Sequence, residues 1–162
     1  MSPSPLVHLV MAATICASPL SMTAQRKTEA RVIDPPSTRL EFRRAESQAT
    51  PGYTKRKIER QNQSVFVHDE ADFAVTAADI DKVQVEPDEL KFPSVVVFFS
   101  QAGADRMGRL TGSQVDKPLA ILVDGKLVSA PIIRSRITRA AIISGRFTQE
   151  EAERLAGALR PR

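Results

Sequence analysis

The sequence predicts an α+β domain: a mostly antiparallel sheet with two or three helices packed on one face. Three observations carry that expectation. Runs rich in Val, Ile, Leu and Phe recur at Ser94 to Phe99, Leu119 to Val123 and Ala140 to Ile143 with turn residues between them, which is the pattern of strands. The pair Asp124-Gly125 separates two apolar runs, and it tolerates the positive φ of a tight hairpin, so its flanking strands should be antiparallel. Near the C-terminus Ala152, Leu155, Ala156 and Leu159 fall instead at i, i+3, i+4 and i+7. That is the apolar stripe of a helix, which must be covered by another layer.

Taken in order, Leu40-Glu41-Phe42-Arg43 alternates apolar and polar and reads as the first strand. Pro51-Gly52 marks a turn, Thr54 to Ser64 reads as a loop or weak strand, and Val65-Phe66-Val67 as a short strand. Thr76-Ala77-Ala78-Asp79 suits a single helical turn, because the Thr hydroxyl can accept an orphan backbone N–H. Val83 and Val85 alternate with polar neighbours, and the continuous run from Ser94 to Phe99 suits a strand buried on both faces. Ser100 can cap a following helix, in which Gly103, Met107 and Leu110 share a face. After the Leu119 to Val123 strand the chain should reverse into Leu127-Val128, and Pro131 should end regular pairing there or put it at an edge. Gly145 opens a turn, and Thr148-Gln149-Glu150-Glu151 is a capping box in which Thr148 and Glu151 satisfy each other's free N–H groups.

A chain of 162 residues, 42% of them apolar, has the length of one domain or one domain with a tail and can bury a core. There is no Trp and only one Tyr, so aliphatic residues and seven Phe must build that core. The single Cys, Cys16, lies in the N-terminal segment, so no disulfide is expected in the body. Charge is segregated: residues 25–64 hold 10 basic and 5 acidic groups, 65–100 hold 2 and 8, and 101–162 hold 11 and 6. Such blocks can form opposed faces that steer partners, or complement one another within the fold. Nucleic acid is not an expected partner, because the basic residues lack interleaved aromatics and any reading motif.

Met1 to Ala24 contains no charged residue, and its apolar centre from Leu6 to Leu20 is about 15 residues, shorter than the roughly 20 that span a bilayer. It fits a secretory signal, with Pro19 ending the apolar helix and cleavage expected after Ala24. An uncleaved membrane anchor is the alternative. The layout is therefore 1–24 signal peptide, 25–38 polar linker carrying Pro35-Pro36, and 39–162 the domain, with no membrane span expected in the mature chain. The expected location is periplasmic or secreted.

No catalytic constellation is legible. His68 stands beside Asp69 and Glu70, which could orient it, but no nucleophile motif accompanies it, and it reads as a surface residue in a turn. Asp79 and Asp81 have calcium-loop spacing without the rest of that loop, so no metal is expected. Asp124-Gly125 is explained by its turn and the pair Met107 and Leu110 by the core. No catalytic residue, metal or cofactor is assigned.

The stretch Leu119 to Pro131 (LAILVDGKLVSAP), followed by Ile143-Ser-Gly-Arg-Phe-Thr148 and Glu151-Ala152 through Leu159-Arg160, resembles the head region of the first periplasmic domain of SecD, a protein translocase subunit. Leu40 to Arg43, Val75-Thr76 with Asp79-Ile80, and Gly103-Ala104 with Leu110-Thr111 extend the resemblance over about residues 38–160. It implies a binding and moving surface, not an enzyme. SecD also carries proton-coupling transmembrane helices, which this sequence lacks, so the expectation is a stand-alone exported head that assists protein export or contacts exported, unfolded polypeptide or an envelope protein. A regulatory or inhibitory protein that reuses the fold for an unrelated envelope partner is the alternative. The family tends to have a Gly-Gly pair before the Ile-Ser-Gly strand, where this chain has Thr138-Arg139-Ala140. The basic cluster there, Arg134, Arg136 and Arg139, is the candidate partner-binding site, with a solvated basic loop as the plainer explanation.

Overall fold

A computed structural model describes residues 38–161. The expected signal at 1–24 and all but the last residue of the expected linker at 25–38 lie outside the described residues. The strands are β1 (Leu40–Glu46), β2 (Tyr53–Lys57), β3 (Ser64–His68), β4 (Phe73–Ala74), β5 (Ile80–Pro87), β6 (Pro93–Phe99), β7 (Leu119–Val123), β8 (Lys126–Ser129) and β9 (Ala140–Ile143). The helices are α1 (Gln101–Gly112) and α2 (Gln149–Leu159), and a single 3₁₀ turn, Ala77–Asp79, leads into β5. The α+β class is as expected, and all strand pairs are antiparallel.

The strands divide into two sheets where the sequence suggested one. The larger runs β2-β3-β1-β7-β8, with β4 also paired to β1, and the smaller runs β5-β6-β9. β1 is the hinge of the larger sheet. One of its edges is shared by β4, with Phe42 opposite Phe73, and by β3, with Ala45 opposite Val67; the other pairs with β7, with Phe42 opposite Ile121. Pro131 interrupts the β8 ladder as expected. Pairing goes on irregularly past it through the bridge Pro118 to Ile132 and the hydrogen bonds Leu119 N–H to Pro131 O and Ile133 N–H to Lys117 O, before the chain crosses to the second sheet as β9.

Both sheets and both helices close on one core. Leu40 and Phe42 of β1, Val95 and Val97 of β6, Met107 of α1 and Leu155 of α2 all lie in it. A second cluster on the opposite face of the larger sheet joins Ala45, Ala120, Leu122 and Leu127 to Val67 and Ile58. Residues of β7 therefore alternate between two buried faces, Leu119 and Ile121 to the first cluster and Ala120 and Leu122 to the second. That is why β7 reads as an unbroken apolar run.

The same inference holds less fully for β6. Val95, Val97 and Phe99 enter the core; on the other face Ser94 and Val96 are buried and Phe98 is half-buried, but Val96 and Phe98 belong to neither cluster. They face out from the smaller sheet beside Ile142, the cross-strand partner of Val96.

The local punctuation behaves as its chemistry requires. Asp124 and Gly125 both have positive φ, 51° and 77°, the twist that joins β7 tightly to β8. Ser100 Oγ accepts from the Gly103 N–H at the start of α1. At α2 the Glu151 N–H donates to Thr148 Oγ1 at 3.2 Å, and the Thr148 N–H donates to Glu151 Oε2 at 2.8 Å. Each such cap is worth about 1 kcal/mol.

Candidate functional site

The basic segment between β8 and β9 is not a free loop. Ile133 is buried, and its backbone is laced to the turn that leads into β7: its N–H donates to Lys117 O and its carbonyl accepts from the Asp116 N–H. The next anchor is the fully buried Thr111 of α1, whose hydroxyl donates to Met107 O and accepts from the Ile137 N–H, both at 2.8 Å. The third is the Arg139 carbonyl, which accepts from the Phe99 N–H at 2.9 Å and starts the pairing of β9 with β6. Positive φ occurs at none of residues 126–145, so this path needs no glycine. An ordinary Thr-Arg-Ala backbone serves at residues 138–140.

Those anchors give the three arginines different surroundings. Arg134 projects outward with its side chain 80% exposed, and its ion pair with the exposed Asp116 is loose at 3.7 Å. A pair of that kind is worth little in water. Arg136 lies across α1: a Cβ at Gly108 would stand 2.7 Å from Arg136 Nε and 3.1 Å from Thr138 Cγ2. Gly108 thus makes room for the guanidinium, and Arg136 is a packing element as much as a charge. Arg139 is exposed at the mouth of β9.

The remaining polar residues weighed from the sequence mostly hold structure together. Asp79 is buried, and its carboxylate accepts from the Thr76 hydroxyl and N–H and from Arg106 Nη1 at 2.9 and 3.0 Å. Burial alone would raise its pKa; the Thr76 and Arg106 hydrogen bonds outweigh burial and hold it below the ordinary carboxylate value. The Arg106 guanidinium also stacks on Phe73, 4.4 Å from the ring centre. Asp81 is exposed and takes no part. Among the described residues no group of three His, Cys, Asp or Glu side chains is placed to hold a metal.

His68 ends β3 instead of lying in a turn, and its neighbours differ from those its sequence position suggests. Its Nε2 faces Arg44 Nη2 at 3.1 Å, its Nδ1 faces the Glu70 carbonyl at 3.1 Å, and the carboxylate within reach is Asp72 at 3.6 Å. Arg44 can only donate, so Nε2 accepts and Nδ1 carries the proton. Asp124 does more than turn the chain: its Oδ1 accepts from the Arg39 N–H at 2.8 Å, tying the β7–β8 hairpin to the start of β1. The alternation of β1 marks Glu41 as a polar position, yet it is buried between Arg39 and Arg43, 2.6 Å from Arg43 Nη2.

The feature least visible in the sequence is a groove of about 420 Å³ on the outer face of the smaller sheet. Val96 forms part of its floor, Ile142 and Leu90 stand along it, and Glu86, Asp88 and Glu89 supply its charge. The signal that could have found it is the acidic block from 65 to 100 lying against apolar residues that alternate out of β6 and β9.

Two antiparallel sheets and two helices around one core, with one anchored basic segment and one acid-rimmed apolar groove, define a small α+β head module. The "SecDF, P1 head subdomain" family matches residues 46–161, and the chain belongs to that family, which is a component of protein translocation. SecD of Elusimicrobium minutum is 49% identical over 92 residues, covering 56% of this chain and 20% of that protein. SecD of Aquifex aeolicus is 40% identical over 86 residues, covering 53% and 17%. This chain thus matches about a fifth of the length of those translocase subunits. A solved structure of SecDF, described as a membrane component that enhances protein export, shares the fold with a TM-score of 0.60 at 23% identity, over 77% of this chain and 63% of that one. Among the described residues no helix is long and apolar enough to cross a membrane.

Proposed function

We propose that this chain is a non-enzymatic head module of the cell envelope that contacts exported polypeptide and so assists protein export. The observation that carries the reading is the family match across residues 46–161. The curated relatives are translocase subunits, and the solved relative of the same fold enhances protein export. The segment 1–24 acts as an export signal and 25–38 as a tether, placing residues 39–162 in the periplasm or outside the cell. Arg134 and Arg139 are the contact residues of the basic segment, and Arg136 fixes the segment's path over α1. An outward pair of cations on an anchored backbone suits this role, because their attachment points are set by Ile133, Ile137 and the β9 pairing before any partner arrives.

The test is photo-crosslinking in the intact envelope from probes at positions 134 and 139 while an exported chain is arrested in transit. Capture of the arrested chain is expected. Capture of lipid alone, or of nothing, with the fold intact, would overturn the reading.

A further inference from the structure

The smaller sheet ends on β9, and the phase of its ladder fixes which backbone groups are left over. The Phe99 N–H donates to the Arg139 carbonyl, and the register continues with Val97 opposite Ala141 and Val95 opposite Ile143. In an antiparallel pair the bonded positions alternate, so Ala140 and Ile142 turn their N–H and C=O groups away from β6. No turn or loop hydrogen bond among the described residues takes up those groups.

Free edges are normally blunted by charge, proline or a bulge. The opposite edge strand, β5, has all three: Asp81 and Lys82, Pro87, and a register shift between Ile80 and Lys82. β9 reads Ala-Ala-Ile-Ile and has none of them. Beside it Ile142 is 61% exposed and Leu90 70% exposed, both on the outer groove. Leu90 is held there by a structured turn: its own N–H and that of Phe92 both donate to Asp88 Oδ1 at 2.9 Å, and the Asp88 N–H donates to Phe92 O. The groove lining carries three carboxylates, Glu86, Asp88 and Glu89, and no cation. Arg146, two residues past Ser144, lies outside the lining with its guanidinium over the Phe92 ring.

We propose that the outer edge of β9 is a strand-addition site for an extended polypeptide segment whose apolar side chains alternate and whose end over the groove is basic. Backbone pairing to Ala140 and Ile142 supplies the sequence-independent grip. Ile142 and Leu90 receive alternate apolar side chains, and the carboxylates select the basic end. The four residues of β9 pair with about four residues of the guest, roughly 13 Å of extended chain. Folded proteins usually blunt or cover their edge strands, so the site favours unfolded clients. This deepens the polypeptide-contact reading above and rests on it.

The probe is a labelled peptide of alternating valine and threonine with paired lysines at one end, titrated into the full chain. Saturable binding is expected, with new hydrogen-exchange protection at the Ala140 and Ile142 amides. Ile142→Lys should weaken binding about tenfold or more, by removing apolar contact and adding charge at the edge. Leu90→Ser serves as a second variant that leaves β9 untouched, and it should weaken binding less. Glutamates in place of the peptide's lysines should also weaken it. No binding, or binding that ignores Ile142→Lys and protects other amides, overturns the β9 site. If Ile142→Lys abolishes peptide binding while positions 134 and 139 still crosslink an exported chain, the β9 site stands and export contact does not depend on it. If the peptide binds β9 but no exported chain is ever crosslinked, the export role fails and the site remains.

Discussion

Gly103→Ala is the sharpest probe of how α1 is seated, because two large effects oppose each other there. In a helix interior, glycine to alanine is ordinarily favourable by about 1 kcal/mol. At position 103, however, a Cβ would overlap the Asp79 carbonyl oxygen and stand 2.9 Å from its carbon. These are backbone atoms, and the same oxygen accepts the Ser100 N–H at 2.9 Å. Relief requires moving the 3₁₀ turn off α1, which strains the Asp79–Arg106 contact. Overpacking of this kind costs about 1–3 kcal/mol, and the Ser100 hydrogen bond is worth about 1 kcal/mol more. Set against the helix gain, the expected net loss is about 2 kcal/mol, roughly a 6–10 °C fall in Tm for a domain of this size. Gly157→Ala in α2 is the matched control, since nothing lies within 4 Å of its Cβ position. It should stabilise by about 0.5–1 kcal/mol. Urea denaturation of both variants measures the pair. A Gly103→Ala protein as stable as the wild type would refute the reasoning about backbone contact.

Thr111→Val keeps the shape of the side chain but strands the half-buried Ile137 N–H. It should cost about 1–2 kcal/mol in urea unfolding and speed hydrogen exchange at Ile137, loosening the basic segment. The Glu151 carboxyl is held down to about 2 by hydrogen bonds from Arg60 and from the Thr148 amide. A folded pKa below the unfolded one stabilises above the unfolded value and loses that stabilisation as pH falls. Stability should therefore decline from about pH 4.5 towards 2, and Glu151→Gln should flatten that decline in an acid titration followed by circular dichroism. Asp79, also held below its ordinary value, should leave a residual acid sensitivity in that variant. Thr148→Ala removes the α2 cap and should lower stability by about 1 kcal/mol in urea unfolding.

The elements legible in the sequence are those whose signal is local. The Asp124-Gly125 hairpin, the Thr148–Glu151 capping box and the stripe Ala152 to Leu159 each fall where their residue chemistry puts them. β2 was ambiguous because Tyr53–Lys57 carries three cations and has little burial to mark it. β4 leaves no trace in the sequence because two residues, Phe73 and Ala74, carry no periodicity. The candidate site was legible as a cluster but not as a surface. Three arginines in six residues look alike in sequence, whereas the space left by Gly108, 28 residues upstream of Arg136, lays that arginine on α1. The apolar groove was hidden for a related reason. An unbroken run such as Ser94 to Phe99 says that both faces tolerate apolar side chains, not that a second layer covers both.

By itself the sequence determined the α+β class, the antiparallel turns, the helix caps and, through its motif order, the family. The turns and caps depend on residues within about a dozen positions of one another, where backbone preference and side-chain reach act directly, and the class and the family on the order in which such local signals follow along the chain. The tertiary structure alone decided that the strands form two sheets, that β9 leaves one edge bare, and that Arg134 and Arg139 project outward while Arg136 packs against α1. These outcomes depend on which distant segments meet: Thr111 with Ile137, Phe99 with Arg139 and Val96 with Ile142. Such pairings are fixed by filling one core without voids, a condition on the whole chain at once that no local pattern encodes.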